Sequence, residues 1–224
     1  MKRILLCTLL SLGAAAAPKP PRAKGIESPG YKWNAREGET LAALKKKGDA
    51  GRGEETFAVC VVCHQRNGGG TADGVYPKVA GQHPAFLIKQ LADIRVGLRD
   101  NPFMYPYAAT LTNPQELADV SAYVASLPSP RDNGQGPGSN LNLGRQLYQR
   151  DCAGCHGANG EGDAARFFPL LAGQHYRYLL RQVSEVGSHL RRNANPDMVR
   201  VLRPYTEQEL EAVCDYASRL PPPR

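Results

Sequence analysis

Cys60-Val61-Val62-Cys63-His64 and Cys152-Ala153-Gly154-Cys155-His156 are the two stretches that decide how this chain folds. They stand 92 residues apart in a sequence of 224. In each, two thiols separated by two residues lie about one helical turn apart, so both sulfurs reach one edge of a flat macrocycle. The histidine that follows directs its imidazole at the centre of that ring from the same side. This is the attachment pattern of covalent haem, with Cys60, Cys63, Cys152 and Cys155 as thioether donors and His64 and His156 as iron ligands. Two other readings of paired cysteines are weaker. A redox-active disulfide of this spacing follows a strand in a βαβ unit, and no strand pattern flanks either pair. A zinc site needs Cys and His at close intervals, whereas these two clusters are far apart in the chain.

The motifs belong to an internal repeat. Ala80-Gly81-Gln82-His83 recurs as Ala172-Gly173-Gln174-His175, and Pro77 recurs as Pro169, all at a shift of 92. Asn101-Pro102-Phe103-Met104 recurs as Asn195-Pro196-Asp197-Met198 at 94, and Glu116-Leu117 recurs as Glu209-Leu210 at 93. Between the copies runs Pro128-Ser129-Pro130-Arg131-Asp132-Asn133-Gly134, a linker composition. The expected division is 1–17 leader, 18–47 basic extension, 48–128 first domain, 129–140 linker and 141–224 second domain. Each copy reads as helical. A short helix leads into each Cys pair, from Gly53 to Val62 and from Asn142 to Cys152. Pro84 opens a helix at a first-turn position, and Asn113 and Thr206, each with Glu three residues on, cap the last one. The predicted class is all-α, two tandem haem domains related by repeat.

What fills the sixth iron position decides the chemistry. Apart from Met1, the chain has only Met104 and Met198, 40 and 42 residues after their histidines and at matching places in the repeat. A lone methionine is usually core filler; two confined to equivalent Asn-Pro turns read as axial ligands. His/Met ligation raises the potential and closes the iron to substrate, which points to outer-sphere electron transfer. His83 and His175 are rival ligands, but 19 residues is a short reach to the opposite face. They read as helix-entry residues near a propionate, and His189, without a counterpart, as a surface residue.

Two domains of this size, each with C-x-x-C-H, Ala-Gly-Gln, a long helix and an Asn-Pro-x-Met loop, resemble the dihaem cytochromes c4 among class I cytochromes c. The resemblance spans about residues 48–221. It implies two haem c groups, domains related by a pseudo-two-fold axis, and closely spaced irons. It also implies that Pro77 and Pro169 accept a hydrogen bond from the ligating histidines, orienting the rings and raising their basicity. The extension up to Lys47, with Tyr31 and Trp33, exceeds what that family needs and is expected to wrap the first domain or form a docking surface. Cys214, opposite Ser121 in the repeat, reads as a buried structural thiol, with an intermolecular disulfide as the alternative.

Bulk properties limit the rest. Hydrophobic residues are 42% and charged residues 22%, ordinary for a soluble globular chain. Lys2-Arg3, the apolar run Ile4–Leu12 and Ala14–Ala17 form a secretory leader, which places the mature protein in the periplasm. The run is too short for a permanent anchor, and the large Leu6 before Cys7 argues against lipidation. The formal charge of +7 falls to +5 without the leader. An exported chain lacking aromatic-basic interleaving is not a nucleic-acid binder. A positive surface favours acidic partners and anionic membranes. The expected partners are redox proteins: a membrane or periplasmic donor and a terminal oxidase or reductase. An electron-accepting subunit of a dehydrogenase is the alternative, and a dihaem peroxidase the third reading. The paired methionines argue against the last.

Overall fold

The computed structural model describes residues 21–223; the leader expected at 1–17 lies outside them. α1 (Gly38–Leu44) precedes the first copy, which contains α2 (Ala50–Phe57), α3 (Val61–His64), α4 (Pro84–Arg95), α5 (Tyr105–Ala108) and α6 (Pro114–Ser126). The second contains α7 (Leu141–Leu147), α8 (Ala153–His156), α9 (Tyr176–Gly187), α10 (Pro196–Leu202) and α11 (Glu207–Ser218). No strand occurs among the described residues, only an isolated bridge between Asp163 and Phe168.

The caps foreseen in the sequence form. Asn113 Oδ1 accepts from the Gln115 and Glu116 amides, and Thr206 with Glu209 makes a reciprocal capping box. Each copy is built on the crossing of its first and last helices. Gly53 lets α2 touch α6: a Cβ there would lie 2.1 Å from the Asp119 carbonyl oxygen. Gly144 does the same for α7 on α11, with the Ala212 oxygen at 2.1 Å. Aromatic pairs seal both crossings, Phe57 with Tyr123 at 5.5 Å between centroids and Tyr148 with Tyr216 at 5.6 Å. Leu117 and Ala43 are fully buried in the first core, and Leu147, Val213 and Cys214 lie in the second. Burial of Cys214 leaves no exposed sulfur there for a bond to another chain.

The helix leading into the first Cys pair is interrupted, whereas the second runs unbroken from Leu141 to His156 with a change of pitch. α2 stops at Phe57 and a tight turn, closed by the Cys60 amide on the Phe57 carbonyl at 2.8 Å, precedes α3. In copy two a single π turn, Tyr148–Cys152, joins α7 to α8. The cause is length: two residues separate Phe57 from Cys60, and three separate Tyr148 from Cys152. The wider π turn absorbs the additional one without rotating the motif off its face.

The extension does more than wrap the first domain. The Ala23 amide donates to Val96 O of copy one (3.0 Å), and the Ile26 amide to Arg192 O of copy two (2.8 Å). Trp33 stacks on Phe168 of copy two at 5.9 Å while Lys89 Nζ of copy one lies 5.3 Å from its ring centroid. Residues 21–47 thus form a strap across both domains, and their last part, α1, places Ala43 in the first core.

Candidate haem centres and the interface between them

His64 and His156 close the short helices α3 and α8, and both are buried. Their Nδ1 atoms lie 3.0 Å from Pro77 O and 3.3 Å from Pro169 O, each proline 13 residues downstream. With Nδ1 donating its proton to the carbonyl, Nε2 is left as a lone-pair donor held at a set angle. Burial drives both imidazoles toward the neutral form, and the proline carbonyl only partly opposes this. A neutral, oriented imidazole is what metal ligation requires. The four motif cysteines carry no disulfide; Cys155 is exposed and the other three half-buried.

Met104 precedes α5 as its N-cap, with its amide donating to Asn101 Oδ1 at 3.1 Å. Met198 lies differently from the expected turn position: it is the third residue of α10, whose N-cap Asn195 accepts from the Asp197 amide at 2.9 Å. Pro196 follows the cap directly and starts the helix there, because its ring presets helical φ. Both methionines are half-buried. Two thiols, a neutral imidazole and a thioether per copy form a donor set that fits covalent haem.

The Ala-Gly-Gln-His repeat does something sequence reading missed. Gln82 Nε2 donates to Leu170 O at 3.0 Å while its Oε1 accepts from the Leu170 amide at 2.9 Å. Gln174 makes the mirror pair with Lys78, Nε2 to O at 2.8 Å and Oε1 from the amide at 2.9 Å. His83 Nε2 lies 2.7 Å from Glu161 O, and His175 Nε2 lies 2.7 Å from Gly69 O. Lys78 and Leu170 are themselves 92 apart, as are Gly69 and Glu161. Reciprocity of this kind defines a pseudo-two-fold axis, and His83 and His175 serve it as clasps between copies as well as helix-entry residues. The only hint in the sequence was that two polar side chains recurred together just before an apolar helix.

The copies differ at Lys78, where copy two has Leu170. The Lys78 ammonium is buried at the interface on Ser129 Oγ (3.0 Å) and Ala172 O (3.1 Å), without a carboxylate, and burial pulls its pKa down to about 8. The strap adds a second asymmetry. Phe168, under Trp33, stands 6.1 Å from the His156 ring. In copy one, large apolar side chains are exposed beside the motif: Val62 is 79% and Phe103 84% accessible, with Val59, Val75, Tyr76 and Tyr107 also exposed. Their counterparts in copy two include Gly154 and Asp197.

Two helical domains, each presenting a Cys-x-x-Cys-His turn with a buried neutral histidine, define a c-type cytochrome with two haem groups. The family model of cytochrome c matches twice, over residues 50–128 and 141–220. Cytochrome c4 of Thiocapsa roseopersicina is 34% identical over 190 residues, covering 80% of this chain and 96% of that protein. A thiosulfate dehydrogenase electron acceptor of Stutzerimonas stutzeri is 34% identical over 168 residues, 70% of this chain and 76% of that one. The crystal structure of reduced recombinant cytochrome c4 from Pseudomonas stutzeri superposes with a TM-score of 0.71 at 30% identity, over 77% of this chain and 99% of that one. The chain belongs to the cytochrome c family, in its dihaem c4 branch. It is an electron-transfer cytochrome with two covalent haem c groups, attached at the cysteine pairs 60/63 and 152/155.

Proposed function

We propose that the chain is a periplasmic electron carrier, itself without catalytic activity, in which His64 with Met104 and His156 with Met198 are the axial pairs. The domains carrying them span 48–128 and 141–224, joined by the linker 129–140. Haem supplies a one-electron iron couple when bound. Cys60, Cys63, Cys152 and Cys155 hold it covalently, and Pro77 and Pro169 orient the imidazoles. The observation that carries the reading is the duplicated, proline-tethered neutral histidine, each matched to the one methionine of its copy. With His64 and Met104, and His156 and Met198, as its ligands, the iron would offer substrate no coordination position, and the haem would supply outer-sphere electron transfer. No helix among the described residues is long and apolar enough to cross a membrane.

The test is the spectrum of the oxidised holoprotein. Thioether ligation gives a weak absorption at the red edge of the visible. Met104→Ala and Met198→Ala are each expected to remove about half of it. A band unchanged by both substitutions overturns the assignment.

A second reading is supported by the resemblance to a thiosulfate dehydrogenase electron acceptor and by the exposed apolar side chains around the first motif. In it, the chain is the electron-accepting subunit of a periplasmic dehydrogenase and docks through its first domain. Size-exclusion chromatography of native extract separates the two: a stoichiometric co-eluting dehydrogenase favours the subunit, elution near 24 kDa the free carrier.

A further inference from the structure

The turn from Asp163 to Phe168 lies between the strap and the second haem motif. Its counterpart in copy one, at the shift of 92, runs from Thr71 to Tyr76. The two turns close alike: the Asp163 amide donates to Phe168 O at 2.9 Å, and the Thr71 amide to Tyr76 O at 3.0 Å. Each is followed by the proline whose carbonyl faces the motif histidine. The main chain at both tethers is therefore held by local bonds that owe nothing to the strap.

What differs is the cover. In copy one the turn is open, with Val75 52% accessible and Tyr76 exposed. In copy two the matching Phe167 is 1% accessible, and strap residues close over it. Trp33 stacks flat on Phe168, with ring planes 5° apart, and meets Phe167 edge-on at 6.3 Å between centroids. Arg36 lies across Phe167, its Cζ 5.0 Å from the ring centroid, while Nη2 donates to Ala165 O at 2.7 Å. Phe167 sits at φ 58°, a left-handed conformation that a bulky side chain keeps only where its surroundings hold it. Outward from the second iron ligand the order is thus His156, Phe168 at 6.1 Å, then Trp33.

These rings stand where water reaches the matching turn of copy one. An iron couple gains one positive charge on oxidation, and water stabilises that charge far better than aromatic rings do. A nearby cation disfavours the oxidised form further. Of the cations around Trp33 and Phe168, Lys89 is paired with Asp93 and Arg166 with Asp163. Arg36 forms no ion pair among the described residues, so its charge stays uncompensated. Exclusion of water and the added charge act with one sign, and both belong to copy two.

We propose that the strap is an insulating cover for the second haem centre alone. Trp33 acts through Phe168 on the surroundings of His156, and Arg36 adds a cation, so together they raise that centre's potential without altering the first. The proposal rests on the haem assignment above and deepens it, naming strap residues as positioning residues for one of the two centres.

The experiment is optical redox titration of the holoprotein at one pH for wild type, Trp33→Ala, Trp33→Phe and Arg36→Gln. Which centre is oxidised at each applied potential is read by NMR, from the paramagnetic shifts of the His64 and His156 amides. Trp33→Ala is expected to raise the oxidised-to-reduced ratio of the second centre several-fold at a given potential and to leave the first unchanged. Trp33→Phe keeps a ring on Phe168 and restores most of the wild-type ratio. Arg36→Gln gives a smaller shift of the same sign at the same centre. A second centre unmoved by Trp33→Ala overturns the proposal. So does an equal movement of both centres, because Trp33 then acts through the fit of the domains. A shift as large in Trp33→Phe as in Trp33→Ala overturns it as well. Arg36 is exposed, so should Trp33→Ala fold poorly, a second centre unmoved by Arg36→Gln decides against the cover. The methionine-dependent band, read on the same samples, reports separately on the axial assignment.

Discussion

Gln82→Met removes one side of the clasp between the copies while keeping side-chain volume. In wild type the Gln82 amide satisfies the carbonyl and the N–H of Leu170, both buried, and its Oε1 also accepts from the His83 amide at 3.0 Å. A buried main-chain group left without a partner costs about 1–3 kcal/mol, so the two groups on Leu170 alone predict a loss of about 2–6 kcal/mol. Gln174→Met is the symmetric perturbation, stripping Lys78 of the same two bonds. The pair should not be additive. Once one side has opened and admitted water, the second loses less, giving a coupling of about 0.5–3 kcal/mol in the double variant. The assay is urea unfolding of the holoprotein followed by haem absorbance, with small-angle scattering to report separation of the domains. The single variants should lower the midpoint and broaden the transition as the two domains cease to unfold together. Losses under about 1 kcal/mol in each single variant, strictly additive in the double, would refute the clasp as a determinant of domain arrangement.

Three further outcomes follow from other contacts. Lys78 has a folded pKa near 8 against 10.5 when exposed. The unfolded chain therefore binds more protons at this residue between these values, and Lys78 contributes a rise of stability with pH across that window of about 3 kcal/mol; urea unfolding of wild type and Lys78→Met at pH 7 to 10.5 should show the difference between them narrow by about that amount. Trp33→Ala removes a stacked and an edge-on aromatic pair with Phe168 and Phe167, worth about 1–3 kcal/mol together, and should expose residues 21–36 to limited proteolysis. Gly53→Ala forces a methyl against the Asp119 carbonyl, so α2 must lift off α6 at a cost of about 1–3 kcal/mol or more, measured as a fall in thermal midpoint.

The amino-acid sequence alone determined the number of haem groups, the donor atoms at the cysteine pairs, the helical class and the duplication. All of these are local: thiols two residues apart, a cap with its glutamate three residues on, a shift of 92 that recurs in motif after motif. The histidine tether was legible only through resemblance, because the partner is a carbonyl that every residue possesses; spacing then named Pro77 and Pro169. The tertiary structure decided what depends on the meeting of the copies. Gln82 and Gln174 are only members of a repeated motif until main-chain groups 88 and 96 residues away are brought to their amides. No local pattern marks Arg99 and Arg191 until both guanidinium groups meet on the Gln90 and Gln182 amide oxygens. Trp33 seems surplus until it bridges Lys89 and Phe168. Periodicity and composition report what a residue does within its own few turns. A contact across a pseudo-two-fold axis has no such signature, since its free energy comes from burying groups that the chain places together only when both domains are complete.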